Sequence, residues 1–212
     1  MHIGMFMEFG FRESGLDGEA FREGLELVDA AEAWGLDSAW LSEFHFSPQR
    51  SVLSSPIVTA SAMAARTKRM RIGMAVYVLP LTNPLRVAEE AATLDHICQG
   101  RLDFGIGRSG FRRAYNSYNI DYDESQERFD EALAVLREAW KGKPFSYDGK
   151  FYKVTEAQVV PQPICPRSST TTSEHPRRVR CQATLAPMTP PPITTIRVSQ
   201  GSSTVIRLSL YG

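Results

Sequence analysis

In the stretch LSEFHFSPQR, which begins at Leu41, a carboxylate and an imidazole, Glu43 and His45, are interleaved with two phenylalanines, Phe44 and Phe46. They follow the apolar run Ala39-Trp40-Leu41, where a buried strand would end. An imidazole changes charge near neutral pH and can give or take a proton in a reaction. The other reading of such a histidine is a hydrogen-bonded structural residue. Further along, Gly107-Arg108-Ser109-Gly110 places a guanidinium in a glycine-flanked turn. Glycines let backbone approach a ligand closely, and a guanidinium suits two-pronged contact with a phosphate. The other reading is a surface arginine in a loop. Cys98, Cys165 and Cys181 lack metal-ligand spacing, so no metal site is expected, and three unpaired thiols fit a reducing compartment.

The elements that must position these groups alternate. HIGMFMEF (2–9) reads as a buried strand. The segment from Asp17 repeats Phe21, Leu25, Val28 and Ala31 at helical spacing, with Asp17 able to cap it and Gly35 to stop it. DSAWLSEF (37–44) is a second strand. Pro56 opens a helix over 55–67, and MRIGMAVYVL (70–79) is a third strand. Asn83-Pro84 begins a helix to residue 98, RLDFGIG (101–107) is a fourth strand, and 123–142 is an amphipathic helix with Phe129, Leu133, Leu136 and Trp140 on one face. Four strand–helix units in series predict a parallel sheet covered by helices, either an open doubly wound sheet or a (β/α)8 TIM barrel. No G-x-G-x-x-G follows the first strand, which weighs against a dinucleotide fold. In a barrel the site forms at the C-terminal strand ends. Those ends carry Glu8 and Gly10, then Glu43 to Phe46, Ala75 to Pro80, and Gly107 to Gly110.

The chain has 24 basic and 24 acidic side chains. That balance gives no reason to expect nucleic acid or anionic membrane as a partner. No apolar run approaches the roughly 18 residues of a membrane span, and the N-terminus lacks a basic, cleavable leader, so a cytoplasmic protein is expected. The even charge hides a break in composition. Residues 1–164 carry 18 basic and 23 acidic groups, whereas 165–212 carry 6 Arg and 1 Glu among 6 Pro, 7 Ser and 8 Thr. A segment of that kind buries too little apolar surface to offset its ordering entropy. Two regions are therefore expected: a domain at 1–164 and a low-complexity tail at 165–212.

Three stretches carry a resemblance. GLDSAWLSEFHF (35–46), VYVLPLTNPLRVAEEAATLDHICQGRLDFGIGRSG (76–110) and ESQERFDEALAVLREAW (124–140) resemble the bacterial luciferase-like family of flavin-dependent monooxygenases. The resemblance implies a (β/α)8 barrel, of which about the first four units are present. It also implies reduced FMN, or a deazaflavin in some branches, at the C-terminal face. It implies O2 and a small organic substrate, a separate flavin reductase, and a homodimer through the second and third helices, which are rich in alanine. By the same resemblance Arg108, with Gly107 and Ser109, would hold the flavin phosphate. Ala75-Val76 matches the site where several members hold a non-proline cis peptide beneath the flavin ring; an ordinary strand is the other reading. The luciferase pattern is E-H-H-F, with the first histidine catalytic. This chain has Phe44 there, which removes the expectation of light emission and leaves His45, with Glu43, as the acid–base candidate. Asp95 and Arg101 are expected to hold the third helix against the fourth strand.

Up to Ile164 the chain conforms to this pattern, running through a short hairpin. From about residue 165 the expected fifth strand is replaced by the Ser/Thr/Pro/Arg-rich tail, which reads as a shifted reading frame or a gene-model error on a truncated barrel. Half a barrel would leave strand edges unpaired, so weak or no flavin binding and poor solubility are expected of the 212 residues. The alternative to an active monooxygenase is a degenerate, non-catalytic member that binds flavin or pairs with an intact subunit.

Overall fold

The computed structural model describes residues 2–12 and 15–164; the expected tail at 165–212 lies outside the described residues. Short apolar segments form the strands and longer segments with a helical repeat wrap them. In chain order these are β1 (Gly4–Met7), α1 (Asp17–Ala33), β2 (Ser38–Leu41), α2 (Pro56–Arg66), β3 (Arg71–Met74), β4 (Tyr77–Val78), a 3-10 turn at Leu79–Leu81, α3 (Pro84–Ile97), β5 (Leu102–Asp103), β6 (Ile106–Gly107), α4 (Arg112–Ser117), α5 (Ser125–Ala139), β7 (Phe145–Asp148) and β8 (Lys153–Ala157). The main sheet has the order β1-β2-β3-β5, and every pair in it is parallel. Met7, Leu41 and Met74 share one register row. The strands therefore lie side by side in the order in which the chain makes them, as consecutive strand–helix units require.

The third and fourth expected strands are each divided in two. β4 and β6 form a separate parallel pair with Tyr77 opposite Ile106 and Val78 opposite Gly107. The first break falls at the Ala75-Val76 peptide, which is cis. The second falls at Phe104-Gly105, where a Cβ on Gly105 would overlap the Met74 carbonyl oxygen. Only a residue without a side chain lets the two strands approach this closely. β7 and β8 form an antiparallel hairpin that begins earlier in the chain than the one expected from residue 153 onward, and it is pinned to α5 by Glu131. Its carboxylate accepts the N–H groups of Lys150 at 2.7 Å and Phe151 at 3.0 Å.

The core lies between the sheet and the helices, with Leu41, Ile72, Met74, Met63, Leu79 and Leu94 fully buried. Phe129, Leu133 and Leu136 are buried on the predicted face of α5, and the Trp140 indole donates to the Ala88 carbonyl of α3. Three details differ from the sequence reading. Asp17 is not a cap: Leu16 holds that position without a side-chain bond, and Asp17 sits in the first turn of α1, where a carboxylate favours the helix dipole. α4 was not expected; it is a six-residue helix that opens with the exposed Arg112 and Arg113. The alanines Ala60, Ala64, Ala88, Ala91 and Ala92 are buried inside the chain, and α2 and α3 are in contact.

Asn83 caps α3 by accepting from the Leu85 N–H at 2.9 Å. Arg101 gathers the carbonyls of Ala64, Thr67, Met70 and Cys98 and the Thr67 hydroxyl, at 2.8–3.1 Å. It ties the end of α2 to the start of β5. Asp95 is buried and accepts from the Ile164 N–H at 2.8 Å. No helix among the described residues is long and apolar enough to cross a membrane.

Candidate active site

The chain beyond β2 stays extended, with the Phe44 N–H bonded to the Leu53 carbonyl at 2.9 Å. In extended chain, side chains two apart share a face, so Glu43 and His45 point the same way and Phe44 the other. Glu43 Oε1 lies 2.7 Å from His45 Nε2. Its other oxygen, Oε2, accepts from the Val78 N–H of β4 at 2.9 Å. The carboxylate thus joins the ends of the second and third strands. Both side chains are well enclosed, Glu43 at 3% and His45 at 11% exposure. Phe44 is buried beneath the Arg50 guanidinium, 4.3 Å from the ring centre, and lies against Phe111. Phe46 takes a left-handed backbone conformation and is half exposed.

A small cleft opens beside this pair, lined among others by Phe44, Val78, Leu81, Ser109 and Phe111. It brings the turn after β6 to the end of β2. Ala75 is partly exposed and Val76 exposed at the adjoining end of β3. Ser109 has a positive φ of 65°, and its hydroxyl accepts from the Phe111 N–H at 3.3 Å. The glycine at 107 has a different physical reason from the one read in the sequence. A Cβ there would meet Val76 Cγ2 at 2.7 Å, so the missing side chain makes room for Val76. Gly110, by contrast, faces open space.

Arg108 is oriented by the protein. Its Nη1 donates to the Ser125 hydroxyl at 2.7 Å, and its guanidinium lies 5.2 Å from the Tyr122 ring centre. Its carbonyl accepts from the Tyr115 hydroxyl, which burial keeps protonated well above the ordinary phenol range. The sequence pointed to Arg108 but not to Ser125, Tyr122 or Tyr115. It also gave no sign of Tyr118, whose hydroxyl lies 3.3 Å from His45 Nδ1. The two are 73 residues apart, and Tyr118 follows a helix that was not expected.

Of the residues singled out in the sequence, Glu43, His45 and Ser109 line this cleft, whereas Ala75, Val76, Gly107 and Arg108 stand outside its lining. Partly exposed Ala75 and exposed Val76 form an apolar strand end, Glu43–His45 is an enclosed carboxylate–imidazole pair, and Arg108 is a cation oriented by Ser125. Among the described residues no group of His, Cys, Asp or Glu could hold a metal ion.

Several known proteins resemble this chain over part of their length. The oxygenase component of flavin-dependent trigonelline monooxygenase from Acinetobacter baylyi is 28% identical over 148 residues, 69% of this chain and 41% of that protein. An F420-dependent glucose-6-phosphate dehydrogenase from Kineococcus radiotolerans is 32% identical over 173 residues, 77% and 50% of the two chains. Among solved structures, the oxygenating constituent of 3,6-diketocamphane monooxygenase from the CAM plasmid of Pseudomonas putida, a type II Baeyer–Villiger enzyme in complex with FMN, superposes with a TM-score of 0.68 at 25% identity. That match covers 73% of this chain and 43% of that one. The chain spans half or less of the length of each of these proteins. The family model described as luciferase-like monooxygenase matches residues 1–188, most of the chain, and this chain belongs to that family.

Proposed function

We propose that the chain supplies the N-terminal, flavin-facing part of a (β/α)8 barrel monooxygenase that uses reduced FMN and O2 to oxidise a small organic substrate. One observation carries the reading: Glu43–His45, Ala75-Val76 and the turn holding Arg108 and Ser109 all stand at the C-terminal ends of consecutive parallel strands. In this reading Ala75 and Val76 underlie the flavin ring. Arg108 binds its phosphate, with Gly107 and Ser109 shaping the turn. A deazaflavin in place of FMN fits the same residues, in line with the F420-dependent relative. When bound, the reduced flavin supplies the electrons that reduce O2, and a separate flavin reductase supplies the reduced flavin. His45 holds or moves a proton at the edge of the site, and Glu43 keeps its ring in place. A homodimer through α2 and α3 belongs to the same proposal.

The second reading, a non-catalytic member that binds flavin or pairs with an intact subunit, draws on the short coverage of the relatives. Titration of the purified chain with FMN, followed by flavin fluorescence, and then reductase-coupled oxygen uptake with a panel of aldehydes and ketones, separates the two. Substrate-dependent uptake that disappears in His45→Ala supports the monooxygenase. Flavin binding without uptake supports the second reading, and FMN binding that Arg108→Ala leaves unchanged overturns the flavin assignment.

A further inference from the structure

We infer that Glu43 fixes His45 as its Nε2–H tautomer, so that Nδ1 is the nitrogen that exchanges protons, and that Tyr118 is the positioning residue that holds Nδ1 and connects it to water. The inference rests on the flavin-site reading only for what the proton is exchanged with. A carboxylate offers acceptors alone, so the 2.7 Å contact between Glu43 Oε1 and Nε2 requires the proton on Nε2. The carboxylate cannot turn away, because Oε2 is held by the Val78 N–H. A neutral ring with its proton on Nε2 presents a lone pair at Nδ1. Among the described residues, the hydroxyl 3.3 Å from Nδ1 is that of Tyr118.

The ring packing supports this placement. Tyr118 meets His45 edge-on, with centroids 5.3 Å apart at 84°, and its other neighbour is Phe46, at 5.3 Å. The Glu43 and His45 side chains are enclosed, at 3% and 11% exposure, whereas Tyr118 is an exposed residue. The Glu43 end is closed, and the Tyr118 end meets solvent.

The proton balance is simple. The Tyr118 hydroxyl passes its O–H proton to Nδ1 and takes a replacement proton from an acid at the cleft; the ring becomes imidazolium with Nε2–H still on Glu43. The Tyr118 hydroxyl turns from donor to acceptor. The proton then leaves Nδ1 for water and the neutral tautomer returns. No electrons move and no other bond changes.

The test needs no flavin. The full chain, labelled with 15N-histidine and held at a pH about two units above the ordinary imidazole value of ~6.5, is read by long-range proton–nitrogen correlation. His45 signals are assigned by their loss in His45→Asn. The expected spectrum has a protonated Nε2 and an unprotonated Nδ1. In Tyr118→Phe, which keeps the ring and removes the hydroxyl, the tautomer should persist while the Nδ1 resonance moves by several parts per million toward its unbonded position. Tyr118→Leu repeats the loss of the hydroxyl with a different side chain in case the first variant does not fold. A protonated Nδ1 in the unmodified chain, or an Nδ1 resonance unmoved in a folded Tyr118 variant, overturns the inference. If the expected spectra appear and the chain takes up no oxygen with reduced flavin, this inference stands and the monooxygenase reading fails.

Discussion

Glu43 serves two partners with one carboxylate, and its energetic role separates from its chemical one. In Glu43→Ala the Val78 N–H would be left buried without its acceptor, and His45 would lose the group that orients it. A buried donor left unsatisfied costs on the order of 1–3 kcal/mol, so Glu43→Ala should lower stability by about that amount, read as a lower urea midpoint. Glu43→Gln keeps an acceptor oxygen and nearly the same shape, and its midpoint should fall by less than half as much. Equal losses in the two variants would show that Glu43 acts through packing alone. At this scale the sequence revealed the groups with unusual chemistry and not their partners. Glu43 and His45 are neighbours in the chain, and their side chains meet because extended backbone repeats every two residues. Tyr118, Ser125 and Tyr122 reach the site only through the fold, and a tyrosine or serine in a polar stretch carries no local mark of such a role.

Whole elements are fastened together by carboxylates that receive backbone N–H groups. Glu32 of α1 accepts from Lys68 at 2.9 Å, Arg69 at 2.5 Å and Met70 at 3.2 Å, and so holds the turn between α2 and β3. Burial pushes its carboxyl up, but the three backbone donors and the nearby Arg101 charge outweigh that and hold it below the ordinary 4.5. A folded-state value below the unfolded one stabilises the fold at pH above about 4.5, and that contribution is lost as the pH falls through the folded value. The stability difference between the unmodified chain and Glu32→Gln, measured by urea unfolding, should be largest near neutrality and close below pH 4.5. A difference that does not change with pH would rule this out. The strand breaks give a second expectation. In Gly105→Ala the new methyl group would overlap the Met74 carbonyl, a backbone atom that cannot swing aside. Overpacking of this sort costs about 1–3 kcal/mol, and thermal melting of the variant should show it.

The longer helices were legible because their apolar repeat extends over several turns. The divisions of the third and fourth strands were not, because apolar residues continue through both breaks and a period of two looks the same on either side. α4 escaped notice for a related reason. Six residues with Ala114 and Tyr115 as their buried members are too short to establish a repeat.

For the molecule as a whole, what the helices leave outside matters as much as what they cover. The alanines of α2 and α3 are largely spent within the chain, since Ala60, Ala64, Ala88, Ala91 and Ala92 are already buried there. The outer side of α3 is polar, with Arg86 paired to Glu90 at 2.7 Å. α2 differs. Val58, Ala62 and Ala65 follow one another at helical spacing on the side away from its buried residues, and Val58 is 68% exposed. If the proposed homodimer forms through these helices, the outer stripe of α2 must supply its apolar centre, and the charged side of α3 can contribute only the rim. Charged groups at the centre of an interface are strongly disfavoured, whereas a rim tolerates them. Sedimentation equilibrium should therefore find a dimer that Val58→Glu converts to monomer with an unchanged circular dichroism spectrum, while Arg86→Glu shifts the dimer constant by less than about tenfold, the equivalent of ~1.4 kcal/mol. A dimer that survives Val58→Glu would place the contact elsewhere, and the α2–α3 assignment would fall with it.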